Sequence, residues 1–297
     1  MSVFNTDRLS GKTDADIEHV STYPIVHSPA LHSSSPSSAH PLAHLTVLIT
    51  GASAGIGAAT SVLFAKTGTN LVLLARRAEN LNAVKAKVEE AYKASGKTGK
   101  VLVVEADMRK FEDLDKLPGL IEKEGLEIDI LVNNAGMVKG TEQVGADADI
   151  TQMFDTNVLG LIHLTQIFVK QFKSRQAGTI INLGSIAGRE PYAGGAIYCA
   201  TKHALSAFNG SLLRELVNTP IRVIEIQPGM VETEFSVVRF RGDKEKADNV
   251  YKGLQPLVAE DIAEEIVWTA SRPPHVNIAQ LFVLPVNQAT ATLNYRK

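Results

Sequence analysis

Cysteine is nearly missing from this chain: Cys199 is the only one in 297 residues. A lone thiol excludes an intramolecular disulfide framework and any zinc cage built from cysteines, which fits a reducing compartment and a cytoplasmic protein. Charge of one sign is missing too. Thirty Lys and Arg oppose 32 Asp and Glu, a net charge of −2, so no strong field is available for nucleic acid or an anionic membrane. No apolar run approaches the roughly 20 residues that a bilayer span needs. No two-histidine metal pair and no G-x-S-x-G elbow occur, so no metal site and no hydrolase serine are expected. The expected partner is a small molecule. What is present is an ordinary globular composition, and a chain of this length can remove roughly 75% of its unfolded surface from water.

The first 44 residues differ from the rest. They hold nine Ser, five of the eight His and four of the 12 Pro, but one of the 22 Gly. HSSSPSSAH (32–40) cannot bury enough apolar area to offset the entropy of ordering it, so residues 1–44 read as a flexible or surface-docked extension. It has no secretory apolar core, and Asp7, Asp14, Asp16 and Glu18 argue against a transit peptide. Its histidines have no compact ligand spacing. The whole charge of −2 resides in it, and residues 45–297, the expected domain, sum to zero.

From Leu45 onward short β-branched runs alternate with helical patterns. Strands are expected at 45–50, 71–75, 101–104, 128–132, 179–183, 222–226 and 281–284. Helices are expected at 55–66, 79–94, 150–174, 197–216 and 259–270. This alternation implies right-handed βαβ crossovers. The expected fold is α/β: one doubly wound Rossmann-type domain with a mostly parallel seven-stranded sheet.

A glycine loop follows the first strand. Gly51 permits a tight turn, Gly55 lets backbone approach a pyrophosphate, and Gly57 allows close helix packing, with unpaired N–H groups at the helix start. The strand before and the helix after supply the context such a motif requires. The second strand ends in Arg76 and Arg77, where an acidic residue would otherwise bond the ribose hydroxyls of NAD. Two guanidiniums and no carboxylate favour a 2′-phosphate, hence NADP.

Ser185 follows the fifth strand. Tyr198 and Lys202 come after it, four residues apart and so on one helix face. Reducing a carbonyl requires a proton donor at oxygen as hydride reaches carbon, and a phenol can serve once its anion is stabilised. A neighbouring ammonium and the positive nicotinamide are expected to lower the Tyr198 pKa. Ser185 would polarise the substrate oxygen.

Through TGASAGIG (50–57), NNAG (133–136), the Asn157 of MFDTNVLG, NLGSIAG (182–188), YCATK (198–202) and QPGMVETEF (227–235), the chain resembles the short-chain dehydrogenase/reductase family. The resemblance implies a catalytic tetrad of Asn157, Ser185, Tyr198 and Lys202, with Asn157 at a helix kink holding a water that relays protons from Lys202. It also implies cofactor contacts from Ser53, Ile56, Asn134, Ala135 and Gly136 beside the glycine loop. Asp107 would meet the adenine, Tyr198 and Lys202 the nicotinamide ribose, and Pro228, Gly229, Val231 and Thr233 the carboxamide.

Within the family, SIAGREPYAGGAIYCATK (185–202), VETEFSVVRFRGD (231–243) and PPHVNIAQLFVLPVNQA (273–289) are most similar to NADP-dependent 3-hydroxy acid dehydrogenases, also described as L-allo-threonine or serine dehydrogenases. That implies oxidation at C3 of serine, allo-threonine or 3-hydroxyisobutyrate-type acids, and a homotetramer assembled through helix faces at 157–176 and 196–216. The substrate carboxylate calls for a cation. Arg239 and Arg241 are the candidates, a surface or interface role being the alternative for each. Two other readings stay open: a broad carbonyl or secondary-metabolite reductase of the same family, and a non-catalytic NADP-binding sensor, against which the intact tetrad argues.

Overall fold

The computed structural model describes residues 41–140 and 147–297. The extension up to residue 40 lies outside the described residues, and so do the readings made of it. The body reaches back to Leu42, whose side chain is buried in the core, while His44 N donates to Gly68 O.

Seven strands form one sheet: β1 (Thr46–Thr50), β2 (Asn70–Ala75), β3 (Val101–Glu105), β4 (Ile130–Asn133), β5 (Thr179–Leu183), β6 (Arg222–Pro228) and β7 (Gln280–Val283). Their order is β3-β2-β1-β4-β5-β6-β7, and every neighbouring pair is parallel. The inner strands β1, β4, β5 and β6 are buried throughout, as expected of strands with helices on both faces, whereas β3 and β7 at the two edges are partly exposed. Around them lie α1 (Gly55–Ala65), α2 (Ala78–Ala94), α3 (Phe111–Asp115), α4 (Leu117–Lys123), α5 (Asp147–Phe154), α6 (Gly160–Arg175), α7 (Ala196–Glu215), α8 (Glu234–Arg239), α9 (Lys244–Asn249) and α10 (Ala259–Ala270).

Alternate strand residues feed two cores. Ile49, Leu73, Ile181 and Ile226 pack on one face with Phe64 of α1 and Ile262 and Ile266 of α10. Leu48, Val72, Leu131 and Val223 pack on the other with Phe168 and Phe172 of α6 and Leu212 of α7. Each such side chain contributes about 1.5–3 kcal/mol by leaving water. The sheet order reverses between β1 and β4, so the crevice beyond their carboxyl ends is the natural ligand site.

Three details depart from the sequence reading. The helical pattern at 150–174 resolves into α5 and α6 joined by a π-helical turn, Asp155–Leu159. Strand β4 begins at Ile130, because Asp129 turns its carboxylate onto Thr46 N at 2.8 Å. The short helices α3, α4, α8 and α9 run under two turns or little more, too short for a periodic apolar pattern. No helix among the described residues is long and apolar enough to cross a membrane.

Candidate active site

A cavity of about 700 Å³ opens over the carboxyl ends of the central strands. Its floor at one end is the turn between β1 and α1. Gly51 (φ +65°) and Gly55 (φ +51°) take left-handed backbone there, a conformation that costs other residues roughly 1–2 kcal/mol. A Cβ on Gly51 would lie 2.9 Å from Ala135 Cα, and one on Gly57 would strike Gly51 O and come within 2.5 Å of Asn134 Nδ2. Gly57 therefore packs the turn and does not line the cavity, whereas Gly51, Ser53, Gly55 and Ile56 do. Helix α1 starts with Ala54 as N-cap and no side-chain oxygen capping it, which leaves its first N–H groups available to an anion. Asn134 braces the loop by donating to Thr50 O at 2.8 Å. The turn fits a pyrophosphate on backbone grounds alone.

Arg76 and Arg77 leave β2 exposed at the same rim. Arg77 reaches Ser53 Oγ at 3.5 Å and forms a 3.6 Å ion pair with Glu234. Asp107 also lines the cavity, gripped on both carboxylate oxygens by Arg109. Burial pushes its carboxyl upward, but the Arg109 hydrogen bonds outweigh this and hold it below the usual range.

At the other end stand Ser185, Tyr198 and Lys202. Ser185 leaves β5 in extended backbone (φ −173°), and its Oγ accepts from Ala187 N. Tyr198 and Lys202 occupy successive turns of α7, with the ammonium 5.9 Å from the phenol ring centre and Nζ donating to Leu183 O at 2.6 Å. Asn157 is buried behind them in the π-helical turn. Its amide exchanges hydrogen bonds with Met137 N and O and reaches Thr201 Oγ1 at 3.1 Å on α7. The kink expected at Asn157 thus has a physical form: one residue inserted into the helix aims this amide inward. Asn157 does not itself line the cavity.

The electrostatics correct one expectation. Burial on the cleft floor pushes the Tyr198 phenol well above its ordinary value; Tyr192 adds to this, while the Ser185 hydrogen bond and Arg239 pull the other way. In the chain without the positive nicotinamide, burial outweighs the groups that would lower the Tyr198 pKa. Burial brings the Lys202 ammonium down to about 8, against the pull of the Glu225 carboxylate.

The two arginine candidates separate. Arg239, on α8, lines the cavity and lies over the Tyr192 ring at 5.5 Å. Its guanidinium reaches Tyr192 Oη at 3.3 Å and Gly194 O at 3.2 Å, and its buried Nε has no partner among the described residues. Arg241 sits beyond the end of α8 in left-handed backbone (φ +55°), is held by Asp149 at 2.7 Å, and does not line the cavity. The carboxylate reading of Arg241 is therefore withdrawn: its charge is engaged elsewhere.

Pro228, Gly229, Val231 and Thr233 line the wall between β6 and α8, and Ala135 and Gly136 the wall beyond β4. The sequence reading missed Tyr192, Phe235 and Met137, which also line the cavity. Phe235 meets Tyr198 edge-on at 5.7 Å. The one sequence signal for Tyr192 and Phe235 is an aromatic residue following β5 and β6; Met137, after β4, has none. His163, stacked on Phe111 and bonded to Asp115, and His203, bonded to Cys199 O, serve packing and surface roles. Burial raises the Cys199 thiol, which opposes nucleophilic use.

A family model described as short chain dehydrogenase matches residues 45–244. The NADP-dependent 3-hydroxy acid dehydrogenase of Schizosaccharomyces pombe is 46% identical over 259 residues, covering 85% of this chain and 96% of that protein. The serine 3-dehydrogenase of Agrobacterium fabrum is 40% identical over 248 residues, covering 83% and 96%. A solved structure of the closed form of serine dehydrogenase complexed with NADP+ matches with a TM-score of 0.78 and 37% identity, covering 85% of this chain and all of that one.

Proposed function

Because the chain belongs to the short-chain dehydrogenase family, we propose that it is an NADP-dependent dehydrogenase acting at the C3 hydroxyl of small 3-hydroxy acids of the serine, allo-threonine and 3-hydroxyisobutyrate type. The observation that carries this reading is that one cleft holds the glycine turn, the Arg76–Arg77 rim and the Ser185, Tyr198, Lys202 group, with Arg239 above them. The relatives' names, a 3-hydroxy acid dehydrogenase and a serine 3-dehydrogenase, support the substrate class.

NADP, when bound, supplies the nicotinamide carbon that accepts hydride from C3 or returns it. The backbone of Gly51, Ser53, Gly55 and Ile56 would hold its pyrophosphate, Arg76 and Arg77 its 2′-phosphate, and Asp107 would border the adenine. Pro228, Gly229, Val231 and Thr233 would flank the nicotinamide end, and Asn134, beside the glycine turn with Ala135 and Gly136 following it, would lie near the adenosine ribose. In oxidation the Tyr198 phenolate takes the O3 proton while hydride leaves C3, so the alcohol becomes a carbonyl. Ser185 donates to the substrate oxygen and fixes its distance from Tyr198. Lys202 stabilises the phenolate by charge, and Asn157 holds the π-helical turn and α7 together behind it. Arg239, with an unused buried Nε, takes the substrate carboxylate; charge-assisted hydrogen bonds of this kind contribute about 1.5–3 kcal/mol. Four copies are expected to pack through the helix faces at 157–176 and 196–216, where Leu159 at the end of the π-helical turn is exposed, and a solution mass would read this directly.

The test is NADPH formation with L- and D-serine, the threonine isomers and 3-hydroxyisobutyrate, beside a neutral secondary alcohol. Turnover of the acids well above the neutral alcohol supports the reading. Equal turnover makes the protein a broad carbonyl reductase, and cofactor binding without turnover makes it a sensor.

A further inference from the structure

The cleft explains most of the polar groups buried beneath it, but not Glu225. This residue lies in the middle of β6 with no exposed surface, between Val223 and Gln227 on the face that packs toward α7, where strand alternation calls for an apolar side chain. Burying a carboxylate costs several kcal/mol unless it is compensated. Among the described residues no ion pair compensates it. Instead Ser206 Oγ donates to Oε1 at 2.5 Å and Gln280 Nε2 to Oε2 at 3.3 Å.

Its surroundings tie it to the reacting end of the cleft. Ser206 stands four residues beyond Lys202 and eight beyond Tyr198, so the three form one stripe on α7. Lys202 Nζ bonds to Leu183 O, and Leu183 is the register partner of Ile226, next to Glu225. Two glycines flanking Ser185 leave the room: a Cβ on Gly184 would come within 2.5 Å of Glu225 Oε1, and one on Gly188 within 2.9 Å of Ser206 Oγ. The carboxylate thus occupies a fitted recess behind the turn that carries Ser185.

We propose that Glu225 is a positioning residue of the site: a buried negative charge, fastened to α7 through Ser206, that keeps Lys202 an ammonium beneath Tyr198. Ionisable groups on the elements packed around Lys202 are Tyr198, Cys199 and His203 on α7, Arg189, Glu190 and Tyr192 on the segment between β5 and α7, Asp149 on α5, Asp155 on the π-helical turn, Arg239 on α8, and Glu225 on β6. Of these, Glu225 is the one whose charge acts on Lys202, and it acts to raise its pKa against burial. Lys202 needs such a counter-charge because its contact, Leu183 O, carries only a dipole. The consequence for the reaction rests on the proposed function; the coupling between the two side chains does not.

The test therefore has two arms, with Glu225→Gln as the first variant. In the apo protein burial brings the Lys202 ammonium down to about 8 from the ordinary 10.5 of the unfolded chain. The unfolded chain binds the extra proton in that window, so the Lys202 contribution to stability rises with pH from about 8 upward, while Cys199 and the buried tyrosines, whose pKa values burial raises, pull stability the other way at higher pH. At one fixed protein concentration, the rise in denaturant midpoint is expected to begin about one pH unit lower in Glu225→Gln, and to vanish in Lys202→Met, which assigns it. In turnover, the alkaline fall of kcat moves down by a similar amount, with KM within about twofold, and Glu225→Asp restores it. A double variant, Glu225→Gln with Gln280→Glu, keeps the hydrogen-bonded pair and the total charge but moves the carboxylate to an exposed residue at the start of β7, and is expected to behave like Glu225→Gln. It serves where the single variant does not fold. An apo rise that begins at the wild-type pH in these variants overturns the proposal, even if they are less stable. A shifted rise in a protein that shows no hydride transfer upholds the coupling and contradicts the function.

Discussion

The two ends of the cleft are made of different material. At the β1–α1 end the surface offered to a ligand is mostly backbone, fixed by the left-handed φ of Gly51 and Gly55 and by the absence of a Cβ on Gly57. At the β5–α7 end it is side chains: Ser185, Tyr198 and Lys202 on a strand end and a long helix, with Arg239 brought over them by the six-residue helix α8. Backbone binds any pyrophosphate-bearing cofactor and has little to vary, whereas side chains choose the substrate and do the proton chemistry. Substitutions at the two ends should therefore fail differently, the first in binding and folding, the second in turnover.

The largest effect expected is at Tyr198. Replacing it with Phe removes the proton acceptor and should lower kcat by roughly 10²–10⁴-fold, the usual contribution of general acid–base catalysis. Cofactor affinity, read by fluorescence titration, stays near wild type. Arg239→Ala is next: loss of a charge-assisted contact of about 1.5–3 kcal/mol should raise KM for serine by roughly 10–150-fold and leave a neutral alcohol unaffected. Equal losses on both substrates would mean that Arg239 supports α8 and not the carboxylate.

At the backbone end, Gly57→Ala forces a methyl against Gly51 O. Such overpacking costs about 1–3 kcal/mol, visible in the denaturant midpoint together with weakened binding of the cofactor. Arg77→Ala should have the smallest effect, because the side chain is half exposed and shared with Glu234. A loss of about 1 kcal/mol, at most roughly tenfold in NADP affinity with NAD unchanged, is the expected size.

Much of this is legible in the amino-acid sequence because it follows from local rules. The glycine turn is declared by a strand before it and a helix after it. Tyr198 and Lys202 are brought together by helix geometry alone, and the strand ends follow from apolar runs bounded by Gly, Asn and Arg. Long-range partners were not readable. Arg241 looked as useful as Arg239 until Asp149, 92 residues away in sequence, was found to hold it. Tyr192 lies in a loop whose Gly194 and Gly195 conceal any pattern, and Glu225 falls in a strand that reads as an ordinary buried β run. The upward push on the Tyr198 phenol in the chain alone was not legible for the same reason, since it comes from the desolvation that only the folded cleft imposes.

The most direct test of the account is the oxidation of serine measured in parallel with NADP+ and NAD+, in the wild type and in Tyr198→Phe. The account predicts turnover with a clear preference for NADP+ in the wild type and its near-complete loss in Tyr198→Phe with NADP+ still bound. A preference for NAD+, or a Tyr198→Phe variant that turns over like the wild type, would contradict it.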